Sequence, residues 1–500
     1  MRIRSMLELR STAFSANDPV RPRRQLAGRR ILVAALAMAA ILQAGCGKGG
    51  TSDAPPAFSK LPERPVPGRV YLVGIDAATF DVFDESMAAG VMPNLRRIGE
   101  EGARTVLHSQ EPTASAILWT TIATGRLPKS HGILGFVAPM PDGTTVPVSS
   151  TMRRVHALWN IASEAGVSVG FLSWWVTWPA EPVRGFMATD YVWPLKKDEQ
   201  GFATGSEENT AREDRTWPRQ LMKELDPLNA TRARLSKEEL ASLRVSDLPT
   251  THGYDVPDIL LKDVSVERMA RHLLESGHEE SLFAVYFDGF DAYCHLYWPT
   301  YRDYAALRKG GGGSPESIAQ LDPQKLRIAR VLDAHLARID AFLGYLRDRM
   351  RPEDALVIVS DHGYGDNPGR KPIERTYGQT IQPDHWHTLS GILVATGGPI
   401  RKGARGFEAS VVDVTPTVLA LLGLPLGRDM DGKAIEALLS TEFLEKHPVE
   451  WIKTYDPTPR KGTITPGAYD DAMKQRLRAL GYVDGADENA STKNAGGVRN

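Results

Sequence analysis

Val70-Tyr71-Leu72-Val73-Gly74-Ile75-Asp76 is the stretch on which the fold turns. A near-continuous apolar run stops abruptly at a carboxylate. A strand with one wet face alternates apolar and polar residues, whereas a strand with no polar position is covered on both faces. Three more segments read the same way. Ser281-Leu282-Phe283-Ala284-Val285-Tyr286-Phe287 ends at Asp288. Ala355-Leu356-Val357-Ile358-Val359-Ser360 ends at Asp361-His362-Gly363. Gly391-Ile392-Leu393-Val394-Ala395 follows His387. Helical patterns lie at 92–100, 327–348 and 414–422. Strands alternating with helices predict an α/β chain with a mostly parallel sheet covered on both faces. In such a sheet ligands bind beyond the C-terminal strand ends, which is where most of these acidic and histidine residues stand.

The 500 residues leave room for a large core around that sheet. Two cysteines exclude a disulfide scaffold and a four-cysteine zinc module. Lys and Arg number 60 against 61 Asp and Glu, so charge gives no case for a nucleic-acid polymer as partner. That balance hides an asymmetry. Residues 1–30 carry eight arginines against Glu8 and Asp18, and an uncharged run of twelve residues follows at 31–42. Twelve is too short to span a bilayer, which needs roughly 20. A basic flank, a short apolar run and small residues read as an export signal over 1–45. Leu42-Gln43-Ala44-Gly45-Cys46 resembles a bacterial lipoprotein signal, with Gln43 where that pattern carries Leu. The resemblance implies a lipid on Cys46 and a place in the bacterial periplasm or outer membrane, held to the membrane by that anchor. Ordinary secretion or an uncleaved anchor are the alternatives.

Residues 46–68, rich in Gly, Pro, Ser and Lys, read as a flexible tether. The folded body is expected over 69–460. Insertions are expected at about 191–265, a charged cap with helical stretches and no strong strand run, and at about 297–322, around a glycine-rich loop. A C-terminal extension over 461–500 holds a short helical piece near 471–480 and ends in a polar, mobile tail.

The candidate metal ligands are Asp76, Asp291, His295, Asp361, His362 and His387. Carboxylate oxygen and imidazole nitrogen are the donors that zinc and similar ions take. Asp291 and His295, four apart, share one face if they open a helix. Asp361 and His362 sit together at a strand end. The distribution suits two metals clamping one phosphate. Twelve histidines are spread through the chain, and either His385 or His387 could serve. A nucleophile is also needed, and residues 111–125 offer five hydroxyls, among which chemistry alone does not choose. The aromatic run Phe171-Leu172-Ser173-Trp174-Trp175-Val176-Thr177-Trp178 reads either as a packed strand end or as a lining for an apolar leaving group.

Taken in order, VYLVGIDAATF, WTTIATG with LPKSHGI behind it, FDGFDAYCH, SDHG and HTLSGILVATGGPIRKG resemble the alkaline phosphatase superfamily in its type I phosphodiesterase/nucleotide pyrophosphatase branch. VVDVTPTVLALLGLP resembles the closing helix of that family. The resemblance spans roughly 70–435. It implies an alkaline-phosphatase-like α/β/α sandwich and two zinc ions. Asp291, His295 and His387 would hold one, and Asp76, Ser115, Asp361 and His362 the other. Iron or manganese are alternatives for such donors. The family nucleophile stands ten residues before the glycine of the Thr-Gly pair. That residue is Ser115, counted from Gly125, with Thr113 as the fallback. Asp288 matches no ligand position and reads either as a turn residue or as a group behind the ligands, such as one that orients His295.

What the resemblance implies is a metal-dependent hydrolase of phosphate esters, diester or monoester, acting through a covalent phosphoryl-Ser intermediate on a small-molecule, lipid or nucleotide substrate. Two departures bear on specificity. Nucleotide-cleaving members tend to carry Thr-Phe-Pro-Asn-His from the nucleophile, where this chain has Ser115-Ala116-Ile117-Leu118-Trp119. They also carry an Asn after HGI, where this chain has Leu134-Gly135-Phe136. Neither cysteine stands in the motif of the sulfatase branch. The alternatives are an envelope phosphoryl or head-group transferase on the same two-metal core, and a non-catalytic surface lipoprotein that kept the fold.

Overall fold

The computed structural model describes residues 68–193, 214–248, 256–310, 321–366, 373–374, 380–381, 385–458 and 460–464, with Met473, Lys474 and Leu477. The expected export signal, Cys46, nearly all of the tether, parts of both insertions and most of the C-terminal extension lie outside the described residues.

The run that opens the body forms β1 (Val70–Ile75), buried at all six positions. Its residues alternate between two apolar layers. Tyr71, Val73 and Ile75 face one, while Val70 and Leu72 face the other. The remaining strands of the central sheet are β2 (Ala103–His108), β3 (Val169–Leu172), β4 (Gly185–Ala188), β5 (Thr216–Trp217), β6 (Leu282–Phe287), β7 (Ala355–Val359) and, after the ribbon β8 (Gly363–Asp366) and β9 (His385–Thr388), β10 (Ser390–Gly397). The sheet has eight strands in the order β2-β10-β7-β1-β6-β3-β4-β5. β1 pairs in parallel with β6 on one side and β7 on the other. Only β10 and β5 run against their neighbours. The predicted mostly parallel sheet is therefore present, and its central strands are apolar throughout because neither face meets water.

One face is covered by α1 (Phe80–Ala88), α2 (Pro93–Glu101), α5 (Val256–Glu275), α6 (Gly289–Gly310) and α7 (Pro323–Arg349). The other is covered by α3 (Ser115–Thr124), α4 (Leu158–Glu164) and α8 (Val414–Leu421). This is the α/β/α sandwich. α7 starts where the Asp322 side chain accepts the backbone N–H groups of Gln324 and Lys325, with Pro323 as the first helical residue.

The stretch expected to leave the sheet contributes to it. Thr216–Trp217 pairs antiparallel with Met187–Ala188 and closes one edge. A two-residue strand carries no periodicity, so the sequence hides it. The helix at Val256–Glu275 packs against β6 as part of a covering layer. Residues 297–310 continue α6 without a break. Met473 and Leu477 are helical, as expected of that segment, and are buried with Ile133 and Phe136. Among the described residues no helix is long and apolar enough to cross a membrane.

Candidate active site

The C-terminal edge of the sheet gathers the candidate ligands. Asp76 follows β1 and Asp361-His362 follows β7. Asp291 and His295 lie one turn apart at the start of α6, and β9 supplies His387. All six are buried. They form two groups, Asp76 with Asp361 and His362, and Asp291 with His295 and His387. In each group one donor atom from every member lies within 4.8 Å of the others.

In the first group His362 Nε2 is 3.3 Å from Asp76 Oδ1 and 3.4 Å from Asp361 Oδ2. In the second, His295 Nε2 and His387 Nε2 each stand 3.2 Å from an Asp291 oxygen and 3.1 Å from one another. The rings of His362 and His387 stack at 3.8 Å, so the groups adjoin. The tautomers follow from the outer contacts. His387 Nδ1 lies 2.7 Å from the Thr113 carbonyl, and His362 Nδ1 lies 3.1 Å from the Gly363 carbonyl. A carbonyl only accepts, so both Nδ1 atoms carry the proton and both Nε2 atoms present a lone pair to the centre.

Ser115 opens α3, and its hydroxyl is 3.5 Å from Asp76 Oδ1. Thr113 meets the site through its backbone carbonyl, at His387. Trp119, one helical turn beyond Ser115, donates its indole N–H to Asp76 Oδ2 at 3.1 Å. The indole packs closely against β1 because position 74 is glycine; a Cβ there would sit 2.7 Å from the ring. The Tyr286 hydroxyl donates to the same Asp76 oxygen and receives the Trp175 indole N–H at 2.6 Å.

Residues 70–410 match the family model of the type I phosphodiesterases/nucleotide pyrophosphatases. The chain belongs to that family. It is thereby placed in the alkaline phosphatase superfamily, among metal-dependent enzymes that hydrolyse phosphodiester and pyrophosphate bonds in phosphate-ester and nucleotide substrates. Comparison with curated proteins finds no match.

The family's need for metal agrees with the electrostatics of the six residues. Burial, with the Asp291 charge adding, pushes Asp76 up to about 6. Burial, with Asp76 and Asp291 adding, holds Asp361 well above the ordinary carboxylate range. Burial lowers His362 to about 4, and His387 pushes the same way. Burial also acts to raise Asp291, but the imidazoles of His295 and His387 outweigh it and keep its carboxyl well below that range. Three buried carboxylates that repel one another, with three imidazoles beside them, form a set that cations complete. Asp361 Oδ2 and His362 Nε2 are buried and make no hydrogen bond, as donors reserved for an ion would. The residues fit a two-metal centre.

Other expectations fare differently. The Lys262 ammonium donates to Asp288 Oδ2 at 2.8 Å, an ion pair between the residue before α6 and the interior of α5. Asp288 precedes the helix and turns its side chain toward α5. Cys294, though next to His295, is buried in the apolar layer. The side chain of His385 lies outside the described residues. Of the aromatic run, Phe171 and Trp174 are packed in the core, while half-buried Trp175 reaches Tyr286. Trp119 and Tyr286 are site residues that the sequence reading passed over. Trp119 carries a signal all the same, since it shares a helix face with Ser115.

Proposed function

We propose that the chain is a two-metal phosphodiesterase that works through a phosphoserine at Ser115. The observation that carries this reading is the Ser115 hydroxyl 3.5 Å from Asp76 Oδ1, beside one of the two three-ligand groups. Asp76, Asp361 and His362, with Ser115, would hold one divalent ion, and Asp291, His295 and His387 the other. Zinc suits this oxygen and nitrogen donor set. When bound, the ions supply Lewis-acid stabilisation of the phosphoryl oxygens and lower the pKa of a nearby hydroxyl. Ser115 loses its proton to solvent and its oxygen bonds to phosphorus. The bond from phosphorus to the leaving oxygen breaks, and that oxygen departs with the electron pair and takes up a proton. Water then attacks the phosphoserine, restoring the hydroxyl and releasing a phosphomonoester. The family match supports a diester over a dianionic monoester as the substrate.

The test is metal analysis of the purified protein followed by rates on p-nitrophenyl phosphate, its bis-ester and a thymidine-monophosphate aryl ester. Two equivalents of zinc and a kcat/KM at least about 10-fold higher on the diesters are expected, a difference of about 1.4 kcal/mol in barrier. A preference for the monoester would refute the diester assignment, and diversion of product to an added alcohol would indicate a transferase.

The same reading has the catalytic body exported and tethered to a membrane through Cys46, supported by the arginine-rich flank and the apolar run before it. Cys46→Ser should move the protein from the membrane fraction to the soluble one. An unchanged distribution would remove the anchor from the account.

A further inference from the structure

We propose that Asp263, braced by His335 and flanked by the Lys262–Asp288 ion pair, is a positioning residue for the metal group made by Asp291, His295 and His387. The inference rests on the two-metal reading above. Asp263 lies on α5 and acts on the helix that presents two of the ligands. Asp263 Oδ1 accepts the backbone N–H of Asp288 at 3.1 Å, and Oδ2 accepts that of Gly289 at 2.9 Å. These are the residue before α6 and its first residue. Helices usually satisfy their first N–H groups with a Ser, Thr, Asp or Asn of their own. Here the cap is a buried carboxylate contributed by a neighbouring helix, and it fixes the rotation of the first turn in the frame of the core.

That rotation matters because Asp291 and His295 sit one turn apart on the same face, so any roll of the helix displaces both together. His387, by contrast, arrives on a separate ribbon. The site is built around the cap. Gly289 is required for the approach, since a Cβ there would lie 2.7 Å from Asp263 Oδ2 and 2.8 Å from His335 Nε2. His335, from α7, places Nε2 3.2 Å from Asp263 Oδ2. Lys262, the residue before the cap, is 2% exposed and donates to Asp288 at 2.8 Å. Buried ionic groups are poor stabilisers compared with apolar residues of the same volume. Three buried charged groups and a histidine gathered under one helix start, between three helices, are therefore accounted for by orientation of that start.

The proposal predicts a selective effect on metal binding. Zinc titration of the full chain against a chromophoric chelator should resolve two ions in the wild type. In Asp263→Asn, which forfeits one of the two amide contacts, one ion should bind roughly 10–100-fold more weakly while the other keeps its affinity. His335→Gln, which leaves both amide contacts in place, should move the same ion in the same direction by less, and it carries the test if Asp263→Asn does not fold. A purely structural role would lower the melting temperature of the metal-free protein and leave both affinities as in the wild type. That result, in whichever variant folds, overturns the proposal. The wild type is measured first. If it binds no zinc, the two-metal reading fails and takes this inference with it; if it binds two ions and the variants match it, only the positioning role fails.

Discussion

Ser115→Ala is expected to lower kcat on a phosphodiester by at least about 10⁴-fold while the protein keeps both metal ions. Removing a nucleophile takes away the covalent route, and such deletions cost several powers of ten that other groups do not restore. The hydroxyl is small and buried, and it approaches Asp76 at 3.5 Å, too weak a contact to fix that carboxylate, so its loss leaves the six Asp and His ligands in place. Zinc content should therefore change little even as turnover collapses. A second measurement distinguishes a lost nucleophile from a disturbed site. Wild-type protein quenched in acid during turnover should carry the substrate's phosphoryl group, still esterified to its retained alcohol, on Ser115, and the variant should carry none. Thr113→Ala is the matched control. Thr113 serves His387 through its carbonyl, which alanine retains, so that variant should stay within a few-fold of wild type. If Ser115→Ala kept a tenth of the wild-type rate, the covalent mechanism would be wrong.

The contrast between those two hydroxyls shows where the sequence was legible. The sheet was readable because burial on both faces leaves a strand such as Val70–Ile75 no polar position, a one-dimensional pattern. Asp291 and His295 were readable because four residues make one helical turn. What failed depends on contacts between elements distant in sequence. Nothing local distinguishes Ser115 from its neighbouring hydroxyls until α3 is seen to begin there, beside Asp76. The pairing of Asp288 with Lys262 crosses from the start of one helix to the interior of another. Thr216–Trp217 joins the sheet only because Met187–Ala188 offers it an open edge. Trp119 has the composition of a core residue and is one, and its single polar atom is what reaches Asp76.

Metal removal is expected to abolish activity and to destabilise the protein more at pH 8 than at pH 5. The sign follows from the raised carboxylates. Asp76 titrates near 6 in the folded chain without metal, above the ordinary carboxylate value, and burial with the neighbouring carboxylates also raises Asp361 well above that value. A folded pKa above the unfolded one means the folded state binds the extra proton. The stability from that proton is fully present below the unfolded value of about 4 and is lost as pH rises through the folded one. At pH 8 the metal-free protein must therefore either ionise buried carboxylates that repel one another or hold a proton at a free-energy cost. Ions relieve this by replacing the protons, so metal affinity rises with pH and binding releases protons. At pH 5 most of the Asp76 carboxyls are neutral, and the metal-free fold is less strained. Melting temperatures with and without chelator at the two pH values measure the effect directly. The gap should be several degrees wider at pH 8, and zinc added back should close it and restore turnover. A gap that is equal at both pH values would mean that the buried carboxylates are not what the metals neutralise, and the two-ion centre would lose its electrostatic basis.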